Sequence, residues 1–276
     1  MQRSSLSMPL LRGTVKALCV ASLLSATAAS QATLIGLSSG RSGLYDINST
    51  TGAATLITPV ASLGGSFVGL EYLGGKLYAT NLCDAKCYTF GTIDMTTGAY
   101  TALNKQEGSA NWSGLAGNEA LQLLYTIDGS DGSKLKSITT AGLISTIGAT
   151  APSIGGGGMA YDDANGILYA TGDGSLWMVN TSTAAATLIG ALGINAANIG
   201  LAYDEDSRIL FANSAEGLFT VNTSTGAATF VGNNGTLGAG AKFIDGLAWA
   251  PVPEPGTLAL LGLGLAGLAA SPRRKQ

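Results

Sequence analysis

No histidine occurs among the 276 residues. That single gap removes Ser-His-Asp and Cys-His activation of a nucleophile, together with the commonest transition-metal ligand. Charge is also scarce, at 11% of residues, and the net value of −3 leaves no basic surface for nucleic acid. Aromatics make up only 7% and cysteines number three. Few charges can signal disorder, but an apolar content of 46% points to a folded chain. Carboxylate or lysine chemistry stays open, so the expectation is a protein that is not an enzyme.

Glycine is plentiful, at 40 residues. With Thr and Asn it separates short apolar runs, as expected for many strands joined by tight turns.

The two ends differ from the middle. Arg3, Arg12 and Lys16 precede the apolar stretch Ala17–Ala26, and small residues follow. This order reads as a secretory signal peptide over 1–32, with cleavage expected between Ala28 and Ala32. Cys19 follows bulky Leu18 at the start of the apolar run, which does not suit a lipoprotein cysteine. At the other end, Pro253-Glu254-Pro255 leads into an apolar segment, Thr257–Ala270, and then the basic cluster Arg273-Arg274-Lys275. As a helix the apolar part spans roughly 22 Å, somewhat short of a hydrocarbon core, which local thinning or snorkelling can accommodate. The basic cluster should stay cytoplasmic, leaving the preceding domain outside the membrane.

The middle repeats itself. Leu44–Asn48 runs through Thr51-Gly52 into Ala53–Ile57, and Leu218–Asn222 runs through Thr225-Gly226 into Ala227–Val231. Leu176–Asn180 with Ala185–Ile189 is the same unit, carrying Ala184 where the others have Gly. Phe90–Asp94 with Ala99–Leu103, and Leu135–Thr139 with Leu143–Ile147, are looser copies. Each is an alternating run, a turn and a second alternating run, the pattern of a β-hairpin. Between them recur pairs such as Gly158-Met159-Ala160-Tyr161 before Ile167–Thr171, and Gly200-Leu201-Ala202-Tyr203 before Ile209–Ala212. Four short strands per repeat is the content of a propeller blade. The last Gly246-Leu247-Ala248-Trp249 has no following partner, and Thr33–Leu37 has no preceding one. Pairing them closes a ring, so the expected fold is all-β: a five-bladed β-propeller over 33–250, closed by its N- and C-terminal strands. The Gly before each inner strand should let backbones meet near the axis.

Candidate sites are few. Cys83 and Cys87 read as a disulfide in an exported protein, with free thiols and a metal as alternatives. Asp128–Gly132, Asp162–Gly166 and Asp204–Asp206 are acidic turns; calcium is one reading, ordinary Asx turn chemistry the other. No other cofactor is implied. Gly155–Gly158 lacks the Lys-Ser/Thr of a phosphate loop and should instead open an inner strand. Trp112, Trp177 and Trp249 suit a core or sugar stacking.

The tail, Pro253-Glu254-Pro255 with its short apolar run and Arg273-Arg274-Lys275, resembles the PEP-CTERM sorting signal. That motif is also labelled the ice-binding protein C-terminal domain. The resemblance implies recognition by an exosortase, transient anchoring in the inner membrane, and processing near Pro253–Pro255. It implies a final place at the cell surface or in the extracellular matrix, with a permanent single-span anchor as the alternative. Three functional readings follow: a non-catalytic propeller binding exopolysaccharide or a surface protein, a carboxylate enzyme at the hub, or a structural matrix component. Convergence of Asp, Glu and Lys side chains from different blades at the channel mouth would favour the enzyme.

Overall fold

The computed structural model describes residues 32–251, apart from 41–42, 61–65, 83–86, 108–110, 196–197 and 239–240. Among the described residues, twenty strands form five four-stranded antiparallel sheets, the blades of a propeller. In blade 1, β20 (Ala241–Pro251) is innermost, followed by β1 (Ala32–Gly40), β2 (Gly43–Ile47) and β3 (Ala54–Pro59). Blade 2 runs outward through β4 (Ser66–Leu73), β5 (Lys76–Leu82), β6 (Cys87–Ile93) and β7 (Tyr100–Glu107). In blade 3 the order is β8 (Ala116–Asn118), β9 (Leu123–Asp128), β10 (Lys134–Thr139) and β11 (Ile144–Ala149). Blade 4 holds β12 (Met159–Asp162), β13 (Ile167–Gly172), β14 (Ser175–Val179) and β15 (Ala186–Ala191). Blade 5 holds β16 (Gly200–Asp204), β17 (Ile209–Ser214), β18 (Gly217–Val221) and β19 (Ala228–Gly232).

The ring closes as the repeat count requires. β1 pairs with β20 in the register Leu34↔Trp249, Ile35↔Ala248 and Leu37↔Gly246. One blade therefore takes its inner strand from the end of the domain and three from its start, which removes an open inner edge.

Apolar side chains of the two middle strands alternate between neighbouring blades, so each blade interface has its own core. Leu37, Phe67, Leu77 and Ala248 join blades 1 and 2. Tyr78, Phe90, Trp112 and Leu124 join blades 2 and 3. Similar clusters fill the other three interfaces. Trp112 is thus a core residue, 2% exposed.

Glycine works at the axis. A Cβ on Gly158 would lie 2.7 Å from both the Ile199 carbonyl and the Leu201 amide of the next blade. On Gly114 it would lie 2.6 Å from the Met159 amide, and on Gly69 2.9 Å from the Leu115 amide. These are backbone atoms that cannot swing aside, so only glycine allows this approach. The result departs from an open central channel: the axial space ringed by Gly69, Gly114, Gly200 and Gly246 has no room for a water molecule.

The processing segments lie outside the described residues. That applies to the signal region 1–31, to Pro253, Glu254 and Pro255, and to Arg273, Arg274 and Lys275. Among the described residues no helix is long and apolar enough to cross a membrane.

Candidate functional site

The two ends of the axis differ chemically. Where the inner strands finish, a pocket of about 110 Å³ is lined by Glu71, Glu119, Asp163 and Glu205, with Tyr161, Tyr203 and Trp249 among its walls. The four carboxylates come from four different blades. Glu71 lies on its inner strand, whereas Glu119, Asp163 and Glu205 stand just past theirs, in the turns, and of these the sequence pattern marks Asp163 and Glu205 only as members of acidic turns. Their equivalence is legible only when the repeats are aligned to those turns: Gly74, Glu119, Asp163, Glu205 and Pro251 occupy matching positions at or just past the end of each inner strand.

That alignment explains what most of these acids do. The Glu119 carboxylate accepts the Gly74 amide at 3.1 Å, and the Asp163 carboxylate accepts the Glu119 amide at 2.9 Å. The Glu205 carboxylate accepts the Asp163 amide. Each acid thus clasps the turn of the preceding blade by a charge-assisted hydrogen bond. The series ends where chemistry requires: Pro251 has no amide hydrogen to offer Glu71 or any other acid, and Gly74 has no carboxylate to offer Pro251. Glu71 stands outside the series, earlier on its strand, where the other blades carry Ala116, Ala160, Ala202 and Ala248. It accepts the Tyr72 amide at 2.9 Å and the Gly117 amide. Burial pushes its carboxyl up to about 8, and Asp163 and Glu119 add to the rise. Burial also raises Asp163 and Glu205. No lysine or arginine is among the described residues lining this pocket.

At the opposite end, where the inner strands begin, Thr80 Oγ1, both amide atoms of Asn81, Trp112 Nε1 and Asp245 Oδ1 are buried without partners among the described residues. All belong to blades 1 to 3. Burial pushes Asp245 up to about 8, opposed by the amides of Asp245 and Gly246. Cys87, at the start of β6 on this side, is in a disulfide; Cys83 lies outside the described residues.

The acidic turns use their oxygens internally. Asp128 Oδ1 accepts the Asn111 and Ser130 amides and the Ser130 hydroxyl, and Oδ2 pairs with Lys136 Nζ at 2.7 Å. Burial opposes ionisation there, but these bonds outweigh it and hold the carboxyl at about 2. Asp162 accepts the amide and side chain of Asn165. Asp204 accepts the Asp206 amide and the Ser207 hydroxyl. Among the described residues no group of three or more acidic or cysteine side chains is arranged to hold a metal ion. Of the remaining tryptophans, Trp177 donates Nε1 to the Gly172 carbonyl at 3.1 Å, and Trp249 stacks on Phe211 with centroids 5.8 Å apart.

Fold and site together define a five-bladed β-propeller with a closed hub and an acidic pocket at one end. Residues 251–275 match the PEP-CTERM protein-sorting motif, so the chain carries the signal of an exported protein sorted to the cell surface by an exosortase. No curated protein matches the chain. Among solved structures it is similar to a chain of a nidogen/laminin complex, at 12% identity over 80% of this chain and 98% of that one, with a TM-score of 0.54. It is also similar to Myxococcus xanthus glutaminyl cyclase, at 16% identity over 77% and 79% of the two chains, with a TM-score of 0.47. A protein of unknown function from Bacteroides thetaiotaomicron VPI-5482 shares 15% identity over 72% of this chain and 50% of that one, with a TM-score of 0.47. The first likeness bears on the fold alone.

Proposed function

We propose that this is a cell-surface or matrix protein whose propeller is a non-catalytic binding domain, with a surface glycan as its ligand and a protein as the alternative. The observation that carries the reading is the join between fold and tail. The sorting motif begins at Pro251, the last residue of the strand that closes the ring. Export by the signal segment, anchoring by the tail helix and later removal of the tail complete the proposal. The test is a glycan array, with extracted exopolysaccharide beside it, probed with residues 33–250. Saturable binding to one glycan class supports the reading. Turnover of esters or glycosides by the same fragment overturns it.

One observation favours an enzyme as the second reading. Glu71 holds its proton at neutral pH beside three further carboxylates, and paired carboxyls with separated pKa values serve as acid and base. Three of the four are engaged in blade clasps, which is why the binding reading is preferred. Activity abolished by Glu71→Gln in an otherwise stable propeller would reverse that preference.

A further inference from the structure

We propose that the acidic end of the propeller is the membrane-proximal end of the tethered protein, facing a phospholipid surface without adhering to it, while the opposite end points away. The inference rests on the reading of the tail as a membrane anchor. Its observation is where the chain leaves the fold. β20 is the innermost strand of its blade, and its last residue, Pro251, pairs with Ala32, so the domain is entered and left at one end of the axis. That is the end of the acidic pocket, since Trp249 lines it.

Reach decides the orientation. Val252 to Gly256 are the five residues separating Pro251 from the apolar run. Fully extended they span about 18 Å. Turning the other end toward the membrane would require the tail to run back along the propeller for the length of β20. That strand has 11 residues, about 36 Å at a strand's rise per residue. The spacer covers half of that distance, before counting the detour around the blades. The tethered domain therefore stands on its acidic end.

Charge decides adhesion. The turns at this end carry Asp94, Glu119, Asp163, Glu205 and Asp206, against Lys76 and Arg208. Within a Debye length of an anionic bilayer these carboxylates oppose contact. Only the tail holds the domain there, and once it is cut the domain leaves.

The experiment uses the exported chain, residues 32–276, in nanodiscs of phosphatidylcholine and phosphatidylglycerol at three to one with an acceptor dye on some headgroups. A donor dye is placed on Ala164→Cys, in the turn after β12, or on Ala215→Cys, in the turn after β17 at the opposite end. Energy transfer from Ala164→Cys should exceed that from Ala215→Cys at least twofold. Equal or reversed transfer overturns the orientation. Failure of the chain to co-elute with nanodiscs overturns the anchor reading itself, and the orientation with it. The same chain ending at Pro251 should not co-sediment with vesicles of that composition at 20 or 150 mM salt; co-sedimentation overturns the non-adhering face.

Discussion

Two carboxyls on the propeller axis, Glu71 and Asp245, keep their protons at neutral pH because burial penalises their ionised forms. Both have folded-state values near 8, above those of an unfolded chain. The folded protein then binds more protons than the unfolded one between about pH 4.5 and 8, so stability is full below that window and falls as pH rises through it. Glu119, Asp163, Glu205, Tyr72, Tyr161 and Tyr203 face Glu71 or its pocket, and no cation among the lining residues offsets the charge. Raising the pH from 5 to 9 should cost on the order of 2 kcal/mol at Glu71, since solvent at the pocket mouth screens part of the penalty. Melting temperatures followed across that range should show Glu71→Gln flattening the decline, and Asp245→Asn flattening it separately. A wild-type profile that is level from pH 5 to 9 would remove the argument.

Among elements, the run Gly155–Gly158 shows where reading a sequence stops. Four identical residues differ completely in surroundings. A Cβ on Gly158 meets the backbone of the next blade at 2.7 Å, whereas on Gly155 its nearest neighbour is an Asp173 side-chain oxygen at 3.5 Å. Gly158→Ala should destabilise by about 3 kcal/mol and Gly155→Ala by less than about 1, measured by urea denaturation. The inner-strand role of this glycine was legible because it recurs before Leu or Met in every repeat. The ring closure was legible because strand counting left one segment over at each end. Less visible was a bulge that recurs in all five outer hairpins, for example between Leu176 and Trp177 and between Leu218 and Phe219. It breaks strict alternation, so Leu188-Ile189 and Phe230-Val231 stand as consecutive apolar residues, with Leu188 and Phe230 both 55% exposed. The acidic pocket was missed for a related reason. Three of its members, Glu119, Asp163 and Glu205, lie in turns, where Asp and Glu read as ordinary turn chemistry, and only three-dimensional convergence places them with Glu71.

For the whole molecule, ring closure and tail removal must be compatible, because β20 serves one and leads into the other. Its pairing with β1 continues to Ala32↔Pro251, and the sorting motif starts at that same residue. A cut near Pro253–Pro255 leaves every described β1–β20 pair intact. A cut a few residues earlier would strip Leu247 and Ala248 from the cores between blades 5 and 1 and between blades 1 and 2. It would also leave β1 as an open edge beside the axis. The chain ending at Pro251 should therefore melt within about 2 °C of the longer chain, a difference under about 1 kcal/mol for a domain of this size. The chain ending at Gly240, without β20, should be aggregated or unfolded at room temperature by size exclusion and circular dichroism. Buried residues at four adjoining strands depend on that one segment, so its loss cannot be absorbed locally. A monomeric, cooperatively melting product from the Gly240 truncation would mean that the ring holds without its closing strand, and that the site of tail cleavage is not constrained by the fold.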